Sequence, residues 1–198
     1  MTNDQAMCRW VLVSVTSAGA GALRMHVWRK LRSLGALYLQ QSVCVLPARP
    51  AVMKEVSRLV DRVRRQGGAA RVLRMEFTDA GDRAAVVDDF NAARNLEYAE
   101  LMERIPTLRQ ELADERGRGR ATYAEVEESE ADLDRFQVWL TKIAARDYFA
   151  ASGGAAARAA VDEAAADFAG FEQAALAAEL PGSAEPARST GLRVVKGS

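Results

Sequence analysis

The chain has 198 residues, 49% of them hydrophobic, two cysteines and a formal net charge of +0; that is enough for one domain, or one small domain with an appended second unit, around a sizeable core. Its longest apolar runs, such as Val11–Val13 and Val43–Leu46, fall far short of the roughly 20 residues that span a bilayer, and Met1–Met7 carries no basic segment followed by an apolar run, so neither a membrane span nor a secretory signal is expected. Cys8 and Cys44 make no metal-ligand pattern and read as free thiols in a reducing, cytoplasmic compartment.

Trp10–Thr16 is apolar and β-branched and predicts a buried strand, followed by a flexible loop at Ser17–Gly21. Ala22–Leu34 spaces Leu23, Val27, Leu31 and Leu34 on one helical face, and Gly35 stands where a helix stop belongs. Leu37–Leu46 predicts two short strands joined tightly near Gln40–Ser42. Pro50 suits the first turn of the next helix, which runs to about Gln66 with Val52, Val56, Leu59, Val60 and Val63 as its apolar face. Gly67-Gly68 stops it, and Arg71–Phe77 predicts a strand. The order is βαββαβ, a ferredoxin-like α+β unit over about residues 9–78 with two helices on one face of an antiparallel sheet.

After Asp79, Ala, Glu, Asp and Arg dominate and the period becomes helical. A first helix is expected over about Arg83–Leu112, bent or broken at Pro106, with Gly117–Gly119 as a linker. Thr122 with Glu125 makes a capping-box pattern for a second helix to about Phe149. Ser152–Gly154 is a break before a third helix, Ala155–Glu179. Phe136, Leu140, Ile143 and Phe149 are expected to pack against Phe90, Leu101, Phe168 and Phe171 in an antiparallel helical bundle. The expected organisation is therefore 1–78, 79–180 and a disordered tail over 181–198, rich in Pro, Gly, Ser and Ala.

The zero net charge hides an asymmetry. Residues 1–78 hold 13 Lys and Arg against 4 Asp and Glu, a balance of +9; residues 79–198 hold 14 against 23, a balance of −9. A basic front half can hold a polyanion while the acidic half holds a partner subunit, or the two halves can face and neutralise each other. Eleven of the 13 front cations are arginine, whose planar fork makes two hydrogen bonds to a phosphate. The candidates for nucleic-acid contact are Arg24, Arg29, Lys30 and Arg32 on the first helix and Arg58, Arg62, Arg64 and Arg65 on the second. The bland reading of the same residues is a solvated face. No helix-turn-helix signal is present, so phosphate contacts would supply most of the affinity and make it steeply salt-dependent.

Other candidates weigh less. His26, the sole histidine, reads as a packed or surface residue and excludes a multi-histidine metal site. Trp28, between Arg24 and Arg32, can stack on a base or sugar, with packing under the bundle the plainer role. Arg94, Glu97 and Tyr98 with Lys142, Arg146 and Asp147 can form an internal salt-bridge network; alternatively Arg94, Lys142 and Arg146 can line a pocket for a tetrahedral oxyanion. No Gly-x-Ser-x-Gly elbow, nucleophile–base pair, dinucleotide fingerprint or P-loop occurs. The acidic run Glu125–Asp134 reads as a solvated face. No catalytic residue, metal site or cofactor is expected.

The runs Trp10-Val-Leu-Val, Val27-Trp-Arg-Lys-Leu-Arg-Ser-Leu-Gly-Ala-Leu-Tyr-Leu-Gln40 and Ser42-Val-Cys-Val-Leu-Pro47 resemble the N-terminal domain of the ChrB chromate-resistance regulators. So do Phe90-Asn-Ala-Ala-Arg94 with Glu97-Tyr98, Tyr123-Ala-Glu125 with Glu128, and Trp139 with Ala145-Arg-Asp-Tyr-Phe149. The motifs are loose; their order and their coverage of about residues 9–179 carry the likeness. The resemblance implies a bacterial transcription factor that binds promoter DNA and leaves it on chromate exposure; the expectation for this chain is such a regulator acting as a homodimer through the arginines of the two front helices. The family's usual C-terminal domain has no counterpart here, so the expectation is a standalone short form, for which the likeness supports DNA binding better than chromate sensing. The implied alternative is a non-catalytic accessory or oxyanion-sensing domain that binds a partner protein. The first half also looks like the middle domain of the PaaX repressors and the ferredoxin-like nuclease of CRISPR adaptation, through Leu34-Gly35 and Gln41-Ser-Val43. That nuclease family carries a metal-binding aspartate at the end of strand one, where this chain reads Val11-Leu-Val-Ser-Val-Thr16, so metal-dependent nuclease chemistry is not expected.

Overall fold

The computed structural model describes residues 9–16, 21–119 and 122–179; Cys8 and the predicted tail over 181–198 lie outside the described residues. The front of the chain forms β1 (Trp10–Thr16), α1 (Gly21–Ser33), β2 (Leu37–Gln40), β3 (Val43–Pro47), α2 (Pro50–Arg65) and β4 (Ala69–Met75). The sheet order is β2-β3-β1-β4 with every neighbouring pair antiparallel, the βαββαβ arrangement expected from the sequence.

Strand alternation sorts the side chains. Val11, Val13 and Val15 of β1, Cys44 and Leu46 of β3, and Ala70 and Val72 of β4 point to the helix side, where they pack with Leu23, Val27 and Leu31 of α1 and Val52, Val56, Leu59, Val60 and Val63 of α2. The intervening residues Trp10, Val45, Leu37 and Met75 point the other way and belong to a second cluster. Burying a Val- or Leu-sized side chain is worth about 1.5–3 kcal/mol, so the helical stripes and the strand pleat fix the same layer.

The rear forms α3 (Ala80–Arg118), α4 (Tyr123–Ala144) and α5 (Gly153–Glu179). Asp79 caps α3 by accepting from the Asp82 backbone N–H at 3.0 Å. Where a bend or a break was expected at Pro106, α3 is not broken: it runs on through the supposed linker to Gly119, whose φ of 62° ends it. Pro106 is exposed, so water can meet the carbonyl that a proline leaves without its helical partner. The capping box at Thr122 and Glu125 is present, with Glu125 Oε2 accepting from Thr122 N at 2.7 Å. The bundle core joins Leu101, Ile105, Leu108 and Leu112 of α3 to Leu133, Phe136, Leu140 and Ile143 of α4 and Phe168 and Phe171 of α5.

Two of the expected bundle aromatics pack elsewhere. Phe90 and Phe149 sit not in that core but against the sheet, around Trp10. The Trp10 ring stacks on Phe149 at 5.4 Å and meets Phe77 edge-on at 5.3 Å and Phe90 at 5.9 Å. This explains why α4 ends at Ala144 rather than near Phe149: the connector 145–152 leaves the helix so that Tyr148 and Phe149 reach the sheet. Its return into α5 passes through Ala150 at a φ of 59°. Tyr148 ties the joint together. Its hydroxyl donates to the Leu34 carbonyl at 2.6 Å. Arg49 donates to the Tyr148 carbonyl at 2.5 Å and lies 5.0 Å over its ring.

Candidate nucleic-acid interface

Helices α1 and α2 lie side by side on the sheet, so their outer faces form one surface. At ~100° per residue, Arg58, Arg62 and Arg65 fall on one stripe of α2, opposite the buried valines. On α1, Arg29 and Arg32 face outward, His26 and Lys30 flank the α2 side, and Arg24 and Trp28 the other side. Arg24, Arg29, Arg32, Arg58, Arg62, Arg64 and Arg65 are all exposed, and Lys30 is half-buried. Lys30 reaches across to Glu55 of α2 at 2.5 Å, and Glu55 also holds Arg58 at 2.6 Å. His26 feels this surface: burial first, then the positive fields of Arg62, Arg29 and Lys30, hold its pKa below 6.5.

The candidates differ in how free they are. Among the described residues Arg24, Arg62 and Arg65 make no ion pair or hydrogen bond. Arg29 bonds only its own helix, donating to the Met25 carbonyl at 3.3 Å, and Arg32 lies 5.1 Å over the Trp28 ring. Arg64 stands apart from the stripe; it donates to the Ala70 carbonyl of β4 at 3.3 Å. Lys54, absent from the sequence-based set, is exposed and shares the stripe of Arg58, Arg62 and Arg65; its spacing four residues before Arg58 was the available signal.

Among the described residues no front arginine makes an ion pair with an acid of the rear helices. The acids of α3–α5 serve their own arginines: Arg104 pairs with Glu100, Arg109 with Glu163 and Asp167, and Arg135 with Asp132. The acid that the front cations pair with among the described residues is Glu55 of their own surface, held by Lys30 and Arg58.

The oxyanion candidates fall at the joint, with one exception. Arg94 donates to Glu97 Oε1 and Arg146 to Glu97 Oε2, both at 3.0 Å, so the two guanidiniums converge on one carboxylate. Asp147 accepts from the Tyr98 hydroxyl at 3.1 Å and the Ala151 N–H at 3.0 Å; burial and this aspartate push the Tyr98 phenol up to about 12. Arg94 is buried, and its Nε and Nη1 have no hydrogen-bond partner. Lys142 is not brought to this group. It stands exposed on α4 in a shallow groove with Asp134, Arg135, Val138 and Trp139. Trp28 does not pack under the bundle; it is 40% exposed beside Arg32 on α1.

Comparison with known proteins gives two findings. The family model described as "Protein ChrB, N-terminal" matches residues 24–181. Protein ChrB of Cupriavidus metallidurans is 28% identical over 106 residues, covering 53% of this chain and 32% of that protein. The matched segment thus spans about a third of that relative.

Proposed function

Because the chain belongs to the ChrB N-terminal family, we propose that it is a DNA-binding regulator that holds promoter duplex on the arginine face of α1 and α2. The observation that carries this reading is that Arg24, Arg29, Arg32, Arg62 and Arg65 are exposed and, among the described residues, make no ion pair with the acids of the rear helices. Arginine forks on a convex helical face suit backbone phosphates, with base reading secondary. A homodimer would double the contacts and match a two-fold site.

Fluorescence anisotropy of the chain on its own upstream duplex and on a scrambled one, over a salt series, tests the reading. Tighter binding to the native duplex is expected, with affinity falling by about 0.9 log units per log of salt for each phosphate neutralised. Arg62→Glu with Arg65→Glu should flatten that slope by roughly two phosphates. Equal, weak binding to both duplexes would sink it.

One observation favours a second reading, an accessory domain that senses an oxyanion such as chromate. Arg94 keeps two buried donors without a partner, beside Arg146, and a tetrahedral dianion would satisfy them. Calorimetric binding of chromate or sulfate that Arg146→Gln abolishes, in a chain indifferent to DNA sequence, would select that reading.

A further inference from the structure

Beside the basic face, at the edge of the front unit, α1 and the β2–β3 hairpin form a half-open pocket of about 310 Å³. Its floor is apolar, made by Val15, Val27 and Leu31 of the core. Met25, Trp28 and Tyr38 wall it, and Arg24, Gln41 and Ser42 supply its polar groups. We propose that this pocket binds a small, mostly apolar monocarboxylate, its hydrocarbon part on Val15, Val27 and Leu31 and its carboxylate on Arg24.

Three observations fix that chemistry. Met25 and Trp28 are 47% and 40% exposed, so large apolar surface stands in water at the pocket and an apolar ligand would cover it. Among the described residues no acid lines the pocket and the Arg24 side chain has no ion pair or hydrogen bond, which leaves one guanidinium fork open to one carboxylate. Gln41 and Ser42 complete a short polar edge opposite an apolar floor, the usual layout of a small-molecule site. Tyr38 stays a neutral phenol, since burial and the nearby Cys44 push it up to about 12. A volume of this size holds a ligand of roughly ten to fourteen heavy atoms. Arg24 is the single cation lining the pocket among the described residues, which argues against a polyphosphate.

The proposal does not depend on DNA binding, and its test does not use DNA. The protein has three tryptophans; in ¹⁵N-labelled full chain, Trp28 reports the pocket, while Trp10, at the aromatic joint, and Trp139, on α4, serve as controls. Titration with 3-phenylpropionate should shift the Trp28 indole signal and saturate with a Kd of about 0.05–1 mM. The uncharged 3-phenylpropionamide should bind at least about tenfold more weakly. Arg24→Gln should erase the difference between acid and amide, and Ser42→Tyr, at an exposed lining position, should block both. No saturable shift up to about 10 mM, or equal binding of acid and amide, would overturn the proposal. So would a Trp28 signal that changes with protein concentration alone and stops doing so in Ser42→Tyr, because the occupant would then be a second copy of the chain.

Discussion

Gly35 ends α1 at a φ of +70°, a conformation that disfavours any side chain, and it also meets the rear half. A Cβ there would stand 2.7 Å from Arg94 Nη1 and 2.9 Å from Arg146 Cβ. Gly67 ends α2 at +76° with nothing within 4 Å of its missing Cβ. The pair separates backbone strain from crowding. Gly67→Ala should cost about 1–2 kcal/mol by chemical denaturation, the left-handed penalty alone. Gly35→Ala should cost about 2–4 kcal/mol, because the joint must also give way; equal losses would mean that Arg94 and Arg146 move aside freely. The helix stop at Gly35 was legible in the sequence, from its place after the last apolar residue of the stripe. Its second duty was not, because Arg94 and Arg146 arrive from distant helices. Cys44 gives a further prediction. Burial pushes its thiol up to about 12, so the thiolate is scarce at pH 8 and the sulfur is screened. In a Cys8→Ser chain a disulfide reagent should label Cys44 only as fast as the fold opens; rapid native labelling would refute the buried thiol.

At the scale of elements, the front helices were legible because each apolar stripe is buried on one side only, and the central strands because their runs are apolar and β-branched: the five apolar residues picked on α2 are the five it buries. The basic surface was legible in composition but not in arrangement. Which cations are free depends on Glu55 bridging α1 and α2, and on Arg64 turning to β4, both matters of packing. His26 turns that arrangement into a measurement. Burial and three cations hold its pKa below 6.5, so the folded chain binds this proton more weakly than the unfolded chain. The sign follows: this group's contribution to stability is fully present above the unfolded value and is lost as pH falls through it toward the folded one. Phosphates laid on α1 and α2 would cancel the field of Arg62, Arg29 and Lys30 and raise the imidazole pKa. As the sole histidine, it can be titrated by NMR with and without duplex. An upward shift on adding duplex, with DNA affinity rising as pH falls through that range, is expected. An unmoved titration in a saturated complex would place the DNA elsewhere.

The whole molecule is organised by a joint that composition conceals. The shift at Asp79 from mixed to Ala- and acid-rich sequence suggests two independent pieces, yet Arg49 reaches Tyr148 across 99 positions and Tyr148 reaches Leu34 across 114. No local period encodes such pairs, so Trp10 was legible only as a strand residue and Phe149 only as a bundle residue. Together with Phe77 and Phe90 they make an aromatic cluster on the face of the sheet that α1 and α2 leave open. Offset and edge-on aromatic pairs add about 0.5–1.5 kcal/mol each beyond their burial, which is large beside the roughly 5–15 kcal/mol that holds a domain folded. The chain should therefore unfold in one transition, with far-UV circular dichroism, weighted to the bundle, and tryptophan emission, with Trp10 and Trp28 in the front unit, changing together. Phe149→Ala removes the ring that stacks on Trp10 and should cost about 3–5 kcal/mol. Because the lost contact joins the two halves rather than stabilising either alone, the two signals should then separate, with emission changing at lower denaturant than helicity. A variant that loses stability but keeps coincident transitions would show that the remaining contacts of Arg49 and Tyr148 suffice to couple the sheet to the bundle.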